Sequence, residues 1–196
     1  MWIGLVGSEM CIRDRKLDCV DEILQSMDVV VAGPGLGDGA GVFLEKIWRS
    51  DCPLVLDADG LNWLSEANLD KREAEWIGTP HPGEARKLLG ENIDDRFLAI
   101  ERLHDLYGGL WVLKGAGTLV GPNPMYVNPF ADSILATAGS GDVLAGIIGG
   151  LLAQKSASPA QNGVYIHSKA AESLKREGRT TIIATDLLDA VSKVIV

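Results

Sequence analysis

Between residues 28 and 115 this 196-residue chain repeats one pattern. A short apolar run meets a loop of glycine, proline or aspartate, and a segment of helical spacing follows. Asp28-Val29-Val30-Val31-Ala32 ends in Gly33-Pro34-Gly35-Leu36-Gly37, and Val42, Leu44, Ile47 and Trp48 then predict a helix ending near Ser50. Pro53-Leu54-Val55-Leu56 ends in Asp57-Ala58-Asp59-Gly60-Leu61-Asn62. The weaker run Trp76-Ile77-Gly78-Thr79 is closed by Pro80-His81-Pro82-Gly83-Glu84, and Leu110-Trp111-Val112-Leu113-Lys114 is a fourth. Strand-like runs separated by helices predict a mostly parallel sheet covered by helices on both faces. In such sheets ligands bind outside the C-terminal strand ends. The loops after Ala32, Leu56, Thr79 and Leu113 should therefore gather along one edge.

Pro82 suits the first turn of a helix that Gly90 ends. Asp94 is expected to cap the next helix, with Phe97, Ile100, Leu103 and Tyr107 on one face. Residues 117–120 and 125–127 form a hairpin around Gly121-Pro122-Asn123-Pro124. Two helices close the chain, Pro159 to Glu177 capped by Ser158 and a last one capped by Thr185. Lys71-Arg72-Glu73 reads as a solvated turn. The five tryptophans read mainly as core.

A second feature carries chemistry. Ala136-Thr137-Ala138-Gly139-Ser140-Gly141-Asp142 runs straight into the apolar stretch Val143 to Ala153. The free N–H groups and dipole of a helix start make an anion site. A carboxylate at that junction, Asp142, is placed to act as general base on a substrate hydroxyl beside a bound phosphate. On pattern alone, a capped core helix explains this stretch equally well. Lys114 reads equally as a surface lysine or as a phosphate-cradling one. Asp57 and Asp59 could pair as carboxylates, although Asp59 is better read as a helix cap. Asn62 is better read as fixing its loop. His81 fits an ordinary loop histidine, and His104 and His167 read as structural or solvent-facing.

A net charge of −9 opposes nucleic-acid binding, so no nucleic-acid partner is expected. No apolar run is long enough to span a bilayer, so no membrane partner is expected. Cys11, Cys19 and Cys52 have no metal-ligand spacing, and their odd number argues against a disulfide framework. Residues 1–15 lack the features of a signal peptide, and a cytoplasmic location is expected. That segment, MWIGLVGSEMCIRDR, shows no strand or helix periodicity and resembles a translated sequencing-adapter read-through. Residues 1–16 are therefore set apart as a non-native or disordered segment, and 17–196 as one domain.

With these segments in view, the chain resembles the ADP/ATP-dependent NAD(P)H-hydrate dehydratases of the ribokinase-like superfamily. The matching blocks, in the family's order, are VVVAGPGLG (29–37), PLVLDADGLNWL (53–64), GTPHPGEARKLLG (78–90), VLKGAGTLV (112–120) and ATAGSGDVLAGIIGGLLAQ (136–154). The resemblance implies a three-layer ribokinase-like α/β fold, here missing its first βα units. It implies dehydration of hydrated NADH and NADPH (NADHX and NADPHX), driven by ADP or ATP with Mg2+. Asp142 would be the base, with Gly139, Ser140 and Gly141 as an anion hole. Lys114, Gly115, Ala116, Gly117 and Thr118, together with Gly141, would bind the nucleotide. Gly37, His81 and Asp142 would contact the hydrated dinucleotide. The metal ligands stay unassigned. A homo-oligomer is expected, as is an NAD(P)HX epimerase, fused or separate. The alternatives are a vitamin-precursor alcohol kinase of the same superfamily and an inactive nucleotide-binding fragment.

Overall fold

The computed structural model describes residues 20–37, 39–130 and 133–194, and the backbone of 4–6. Seven strands form one sheet: β1 (Gly4–Val6), β2 (Val29–Ala32), β3 (Leu54–Leu56), β4 (Trp76–Gly78), β5 (Leu110–Leu113), β6 (Leu119–Gly121) and β7 (Tyr126–Val127). Their order in the sheet is their order in the chain. β2 to β5 are parallel, while β1, β6 and β7 join antiparallel at the two ends. The strand β1 lies in the segment to which the sequence assigned no strand. It pairs along the otherwise open edge of β2.

The helices are α1 (Val20–Gln25), α2 (Gly41–Arg49), α3 (Asp59–Glu66), α4 (Pro82–Leu89), α5 (Arg96–Tyr107), α6 (Ser140–Ala153), α7 (Pro159–Arg176) and α8 (Ala184–Val194). Crossovers between parallel strands are right-handed. When each new strand adds on the same side, every crossover helix must land on the same face. The core follows this rule. Val30, Ala32, Leu54, Leu56, Trp111 and Leu113 pack with residues of α1 to α5. The alternate residues Val31, Val55, Ile77 and Val112 face α6 and α7 instead. α8 packs on α7 and α6 in a third cluster that includes Leu174 and Leu187. Backbones meet closely on the α6 side. A Cβ on Gly149 would stand 2.4 Å from Val31, and one on Gly163 would stand 2.6 Å from Ile148.

On the other face Trp48, Trp76 and Trp111 stack edge to face with centroids about 5 Å apart. Trp63 meets Trp48 at 6.3 Å, while Trp2 lies outside the described residues.

Local expectations needed correction in several places. Asp95, not Asp94, caps α5 by accepting from the amides of Phe97 and Leu98. Phe97 faces outward, and Ala99, Ile100 and Leu103 form the buried stripe. Thr185 lies inside α8, and Asp186 instead accepts from the amide of Ile183 at the helix start. Ser158 stands at the cap position of α7 without a side-chain cap bond.

Arg72 is the largest departure. It is 7% exposed, and its guanidinium donates to the carbonyls of Ile47, Trp48 and Cys52. The turn at 71–73 therefore carries a buried cation that ties off the last carbonyls of α2. Two of these are orphan acceptors of a helix end. Cys52 is buried and free, whereas Cys11 and Cys19 lie outside the described residues.

Candidate functional site

The strand order delivers the loops after β2, β3, β4 and β5 to one edge of the sheet, as the sequence predicts. Their mutual contacts are close. Gly33 takes φ +124°, and a Cβ there would stand 1.7 Å from the Asp57 carbonyl oxygen. The first loop thus lies directly on the second, which only glycine permits. From the same pair of loops, the Gly37 amide donates to Asp59 Oδ2 at 2.9 Å. Asp59 is the first residue of α3 and makes no cap bond to its own helix. It holds the neighbouring loop instead, correcting its reading as a cap. The residue before it, Ala58, sits at φ 47° and ψ −119°. Strain of this kind in a non-glycine residue clusters at functional sites.

Asp57 and Asp59 do not pair with each other. Asp57, 1% exposed, accepts from Lys114 Nζ at 2.7 Å. Lys114 stands at the end of β5, where its amide donates to the Pro80 carbonyl at 2.8 Å. Glu84 approaches the same ammonium at 3.9 Å. Lys114 is therefore held between two carboxylates and is not a free surface residue.

Glu84 belongs to a reciprocal cap at the start of α4. His81 Nδ1 accepts from the amides of Gly83 and Glu84 at 2.9 and 3.2 Å, and Glu84 Oε2 accepts from the His81 amide at 2.7 Å. An accepting Nδ1 leaves the ring proton on Nε2. The His81 side chain remains more than half exposed.

From the opposite face of the sheet, α6 brings its amino end to the same place. A Cβ on Gly141 would stand 3.2 Å from Lys114 Nζ and 3.8 Å from Asp57 Oδ2. Gly139 enters the helix in the left-handed region at φ 80°. The Ser140 amide donates to the Thr137 carbonyl at 3.3 Å and is thereby occupied. Among the described residues, the amides of Gly141 and Asp142 have no protein acceptor. Asp142 is exposed at the third position of the helix, where the dipole favours an anionic side chain.

Ser140 itself is buried against His167 of α7. His167 Nε2 lies 3.0 Å from the Ser140 carbonyl oxygen and 3.3 Å from its hydroxyl. The carbonyl can only accept, so Nε2 carries the proton. Burial pushes the ring's pKa down to about 4, the Ser140 hydrogen bond opposes this, and the nearby Lys114 charge adds to it. His104, by contrast, is exposed on α5 with Nδ1 2.7 Å from the Gly109 carbonyl.

The segment Lys114 to Thr118 is braced from α5. Arg96 donates to the carbonyls of Ala116 at 2.7 Å, Leu113 at 3.1 Å and Lys114 at 3.4 Å. Thr118 Oγ1 donates to the Gly115 carbonyl at 3.0 Å. Among the described residues, no group of three or more His, Cys, Asp or Glu stands ready to cage a metal ion.

The structure thus gathers Lys114, Asp57, Glu84 and the first turn of α6 around one point. His81 joins through its capping box with Glu84, and Gly37 joins through Asp59. Sequence reasoning left Glu84, Arg96 and the burial of His167 unassigned. The capping-box spacing of His81 and Glu84 was a usable signal for Glu84. The buried helical stripe Val164, His167, Ser168 and Ala171 was one for His167. Arg96 had none.

Comparison with known proteins agrees with these blocks. A family model described as NAD(P)H-hydrate dehydratase matches residues 6–193. The bifunctional NAD(P)H-hydrate repair enzyme Nnr of Coxiella burnetii is 47% identical over 189 residues, covering 91% of this chain and 38% of that protein. The ADP-dependent (S)-NAD(P)H-hydrate dehydratase of Neisseria meningitidis is 41% identical over 180 residues, covering 81% of this chain and 60% of that one. The chain therefore spans less than two thirds of the length of either. The Bacillus subtilis ADP/ATP-dependent NAD(P)H-hydrate dehydratase, co-crystallised with ATP and Mg2+, superposes with a TM-score of 0.77 at 29% identity. That superposition covers 86% of this chain and 64% of the other. Among the described residues, no helix is long and apolar enough to cross a membrane.

Proposed function

We propose that this chain, which belongs to the NAD(P)H-hydrate dehydratase family, carries out nucleotide-driven dehydration of hydrated NADH and NADPH. One observation supports this most directly. Two unpartnered amides at the start of α6, an ammonium group and an exposed carboxylate meet at the loop edge of the sheet. That set suits a phosphoryl group in transfer to an alcohol.

In this reading the Asp142 carboxylate takes the proton of the substrate hydroxyl as its oxygen attacks the terminal phosphoryl group of ADP. AMP leaves. The Gly141 and Asp142 amides, with Gly139 shaping the turn, stabilise the charge on the transferring oxygens. Ser140 contributes by holding the turn to α7, since its own amide is already bonded. Lys114 moves from Asp57 towards the phosphates, a short displacement because Gly141 lies beside it. Phosphate is a far better leaving group than hydroxide. The ring nitrogen's lone pair expels it, and loss of a proton from the adjacent ring carbon restores the double bond. The products are NAD(P)H, AMP and phosphate. ATP would serve by the same route, releasing ADP. Gly37 and the Nε2–H of His81 are assigned to the hydrated dinucleotide. Magnesium, when bound, would supply charge neutralisation on the phosphates. With no acidic cage among the described residues, its ligands would be phosphate oxygens and water.

The test is incubation of the purified chain with hydrated NADH, Mg2+ and ADP or ATP, following the dihydronicotinamide absorbance. Nucleotide-dependent recovery with wild-type protein, and none with Asp142→Asn, is the expected result. Phosphorylated substrate accumulating without dihydronicotinamide would favour the alcohol-kinase alternative. AMP binding without turnover would favour the inactive fragment.

A further inference from the structure

We infer that Arg96 is the positioning residue that aims the nucleotide loop, by turning the Gly115 and Gly117 amides outward to receive phosphate oxygens. This inference rests on the proposed nucleotide-dependent reaction.

The geometry is a consequence of peptide planarity. The guanidinium of Arg96 reaches from the first turn of α5 to the carbonyl oxygens of Leu113, Lys114 and Ala116. The Lys114 carbonyl shares its peptide plane with the Gly115 amide, and the Ala116 carbonyl shares its plane with the Gly117 amide. Neither bond is cis, so each N–H points opposite to the carbonyl that Arg96 holds. Both amides are thereby directed away from α5. Among the described residues neither has a protein acceptor, whereas the Lys114 amide is taken by Pro80. Gly115 at φ +132° and Gly117 at φ +62° supply the backbone conformation that this alternation demands.

The charge of Arg96 points the same way. Among the described residues no carboxylate stands within ion-pair distance of it, and its Nε is buried without a partner. Left unpaired beneath outward-facing amides, it adds positive potential to the loop of a chain whose net charge is −9. Lysine cannot reproduce this. It offers a point charge in place of a planar fork.

The experiment compares ADP binding by titration calorimetry and amide hydrogen exchange of residues 114–118 in wild type, Arg96→Lys and Arg96→Gln. Arg102→Gln is the control, since Arg102 lies on the same helix and pairs with the distant Glu91. ADP is expected to protect the Gly115 and Gly117 amides in wild type. Arg96→Gln should weaken ADP binding about tenfold or more, with Arg96→Lys in between. The KM for hydrated NADH should stay within about twofold in all variants, a split that a general loss of structure would not produce. ADP binding without protection of these amides, or Arg96→Gln binding as wild type does, overturns the inference and leaves the proposed reaction standing. Equal loss of ADP and dinucleotide affinity also overturns it. Failure of the wild type to bind any adenine nucleotide overturns both.

Discussion

His167 offers a prediction whose size follows from its surroundings. The ring is 6% exposed and donates to Ser140 in the first turn of α6. Its folded-state pKa of about 4 compares with about 6.5 in an unfolded chain. Between these values the unfolded chain binds a proton that the folded chain refuses, so stability rises with pH across this window and is lost as pH falls through it. At pH 7 the contribution is almost fully present. At pH 5 about 2 kcal/mol has gone, and the limiting loss below the folded value is about 3.4 kcal/mol. The wild-type slope sums every proton-linked contribution, so it alone does not isolate His167. His167→Gln removes the titration while keeping an amide that can donate to the Ser140 carbonyl. Urea denaturation of both proteins at pH 5, 6 and 7 isolates the term. On going from pH 7 to pH 5 the wild type should lose about 2 kcal/mol more than the variant. A difference below about 0.5 kcal/mol would refute the argument, because a buried neutral ring cannot be reconciled with it. A difference of opposite sign would mean that the ring is charged in the folded protein.

Three further outcomes are expected. Arg72→Met leaves the Trp48 and Cys52 carbonyls without their donor, while Ile47 keeps Ser50. Stability should fall by about 3 kcal/mol, and thermal unfolding by about 6–12 °C. Gly33→Ala places a methyl group 1.7 Å from the Asp57 carbonyl at a φ of +124°. Circular dichroism should show either failure to fold or a loss exceeding about 3 kcal/mol, and a melting point within about 2 °C of wild type would contradict the loop contact. Lys114→Met should reduce ADP affinity by at least about tenfold in calorimetry; undiminished binding would remove Lys114 from the phosphate site.

The sequence carried the architecture because its strands are uninterrupted apolar runs, such as Val29 to Ala32 and Leu110 to Leu113, each closed by breakers. Such runs, bounded by breakers, fit strands of a sheet covered on both faces. α4 was legible to its ends, since Pro82 and Gly90 act on the backbone alone. The start of α5 was not: Asp94 and Asp95 are equally good caps by type. Phe97, the second residue of α5, faces solvent at the helix start. Arg72 was misread for a related reason. Its neighbours Lys71 and Glu73 are polar, and nothing local signals that three carbonyls, from the end of α2 and the loop before β3, lie above it. At the site, the glycine-rich turn and Asp142 stand in contiguous sequence and could be read directly. The Lys114–Asp57 bond joins residues 57 positions apart, and Arg96 reaches its carbonyls across 17 to 20. Such contacts depend on where elements dock, which local pattern does not encode.

The coincidence of strand order and chain order bears on how this protein is made. A ribosome emits the chain in the direction in which the sheet widens, so each new strand finds its template already beside the exit site. Little long-range search is needed through β7. The opposite layer cannot begin until then, because α6, α7 and α8 come last and cover residues already laid down. The glycine-rich turn arrives with α6, after Asp57, Glu84 and Lys114 have been in place for the time needed to translate the hairpin. A nascent chain halted before residue 139 would hold Lys114 and its two carboxylates, yet lack the helix end that packs against them.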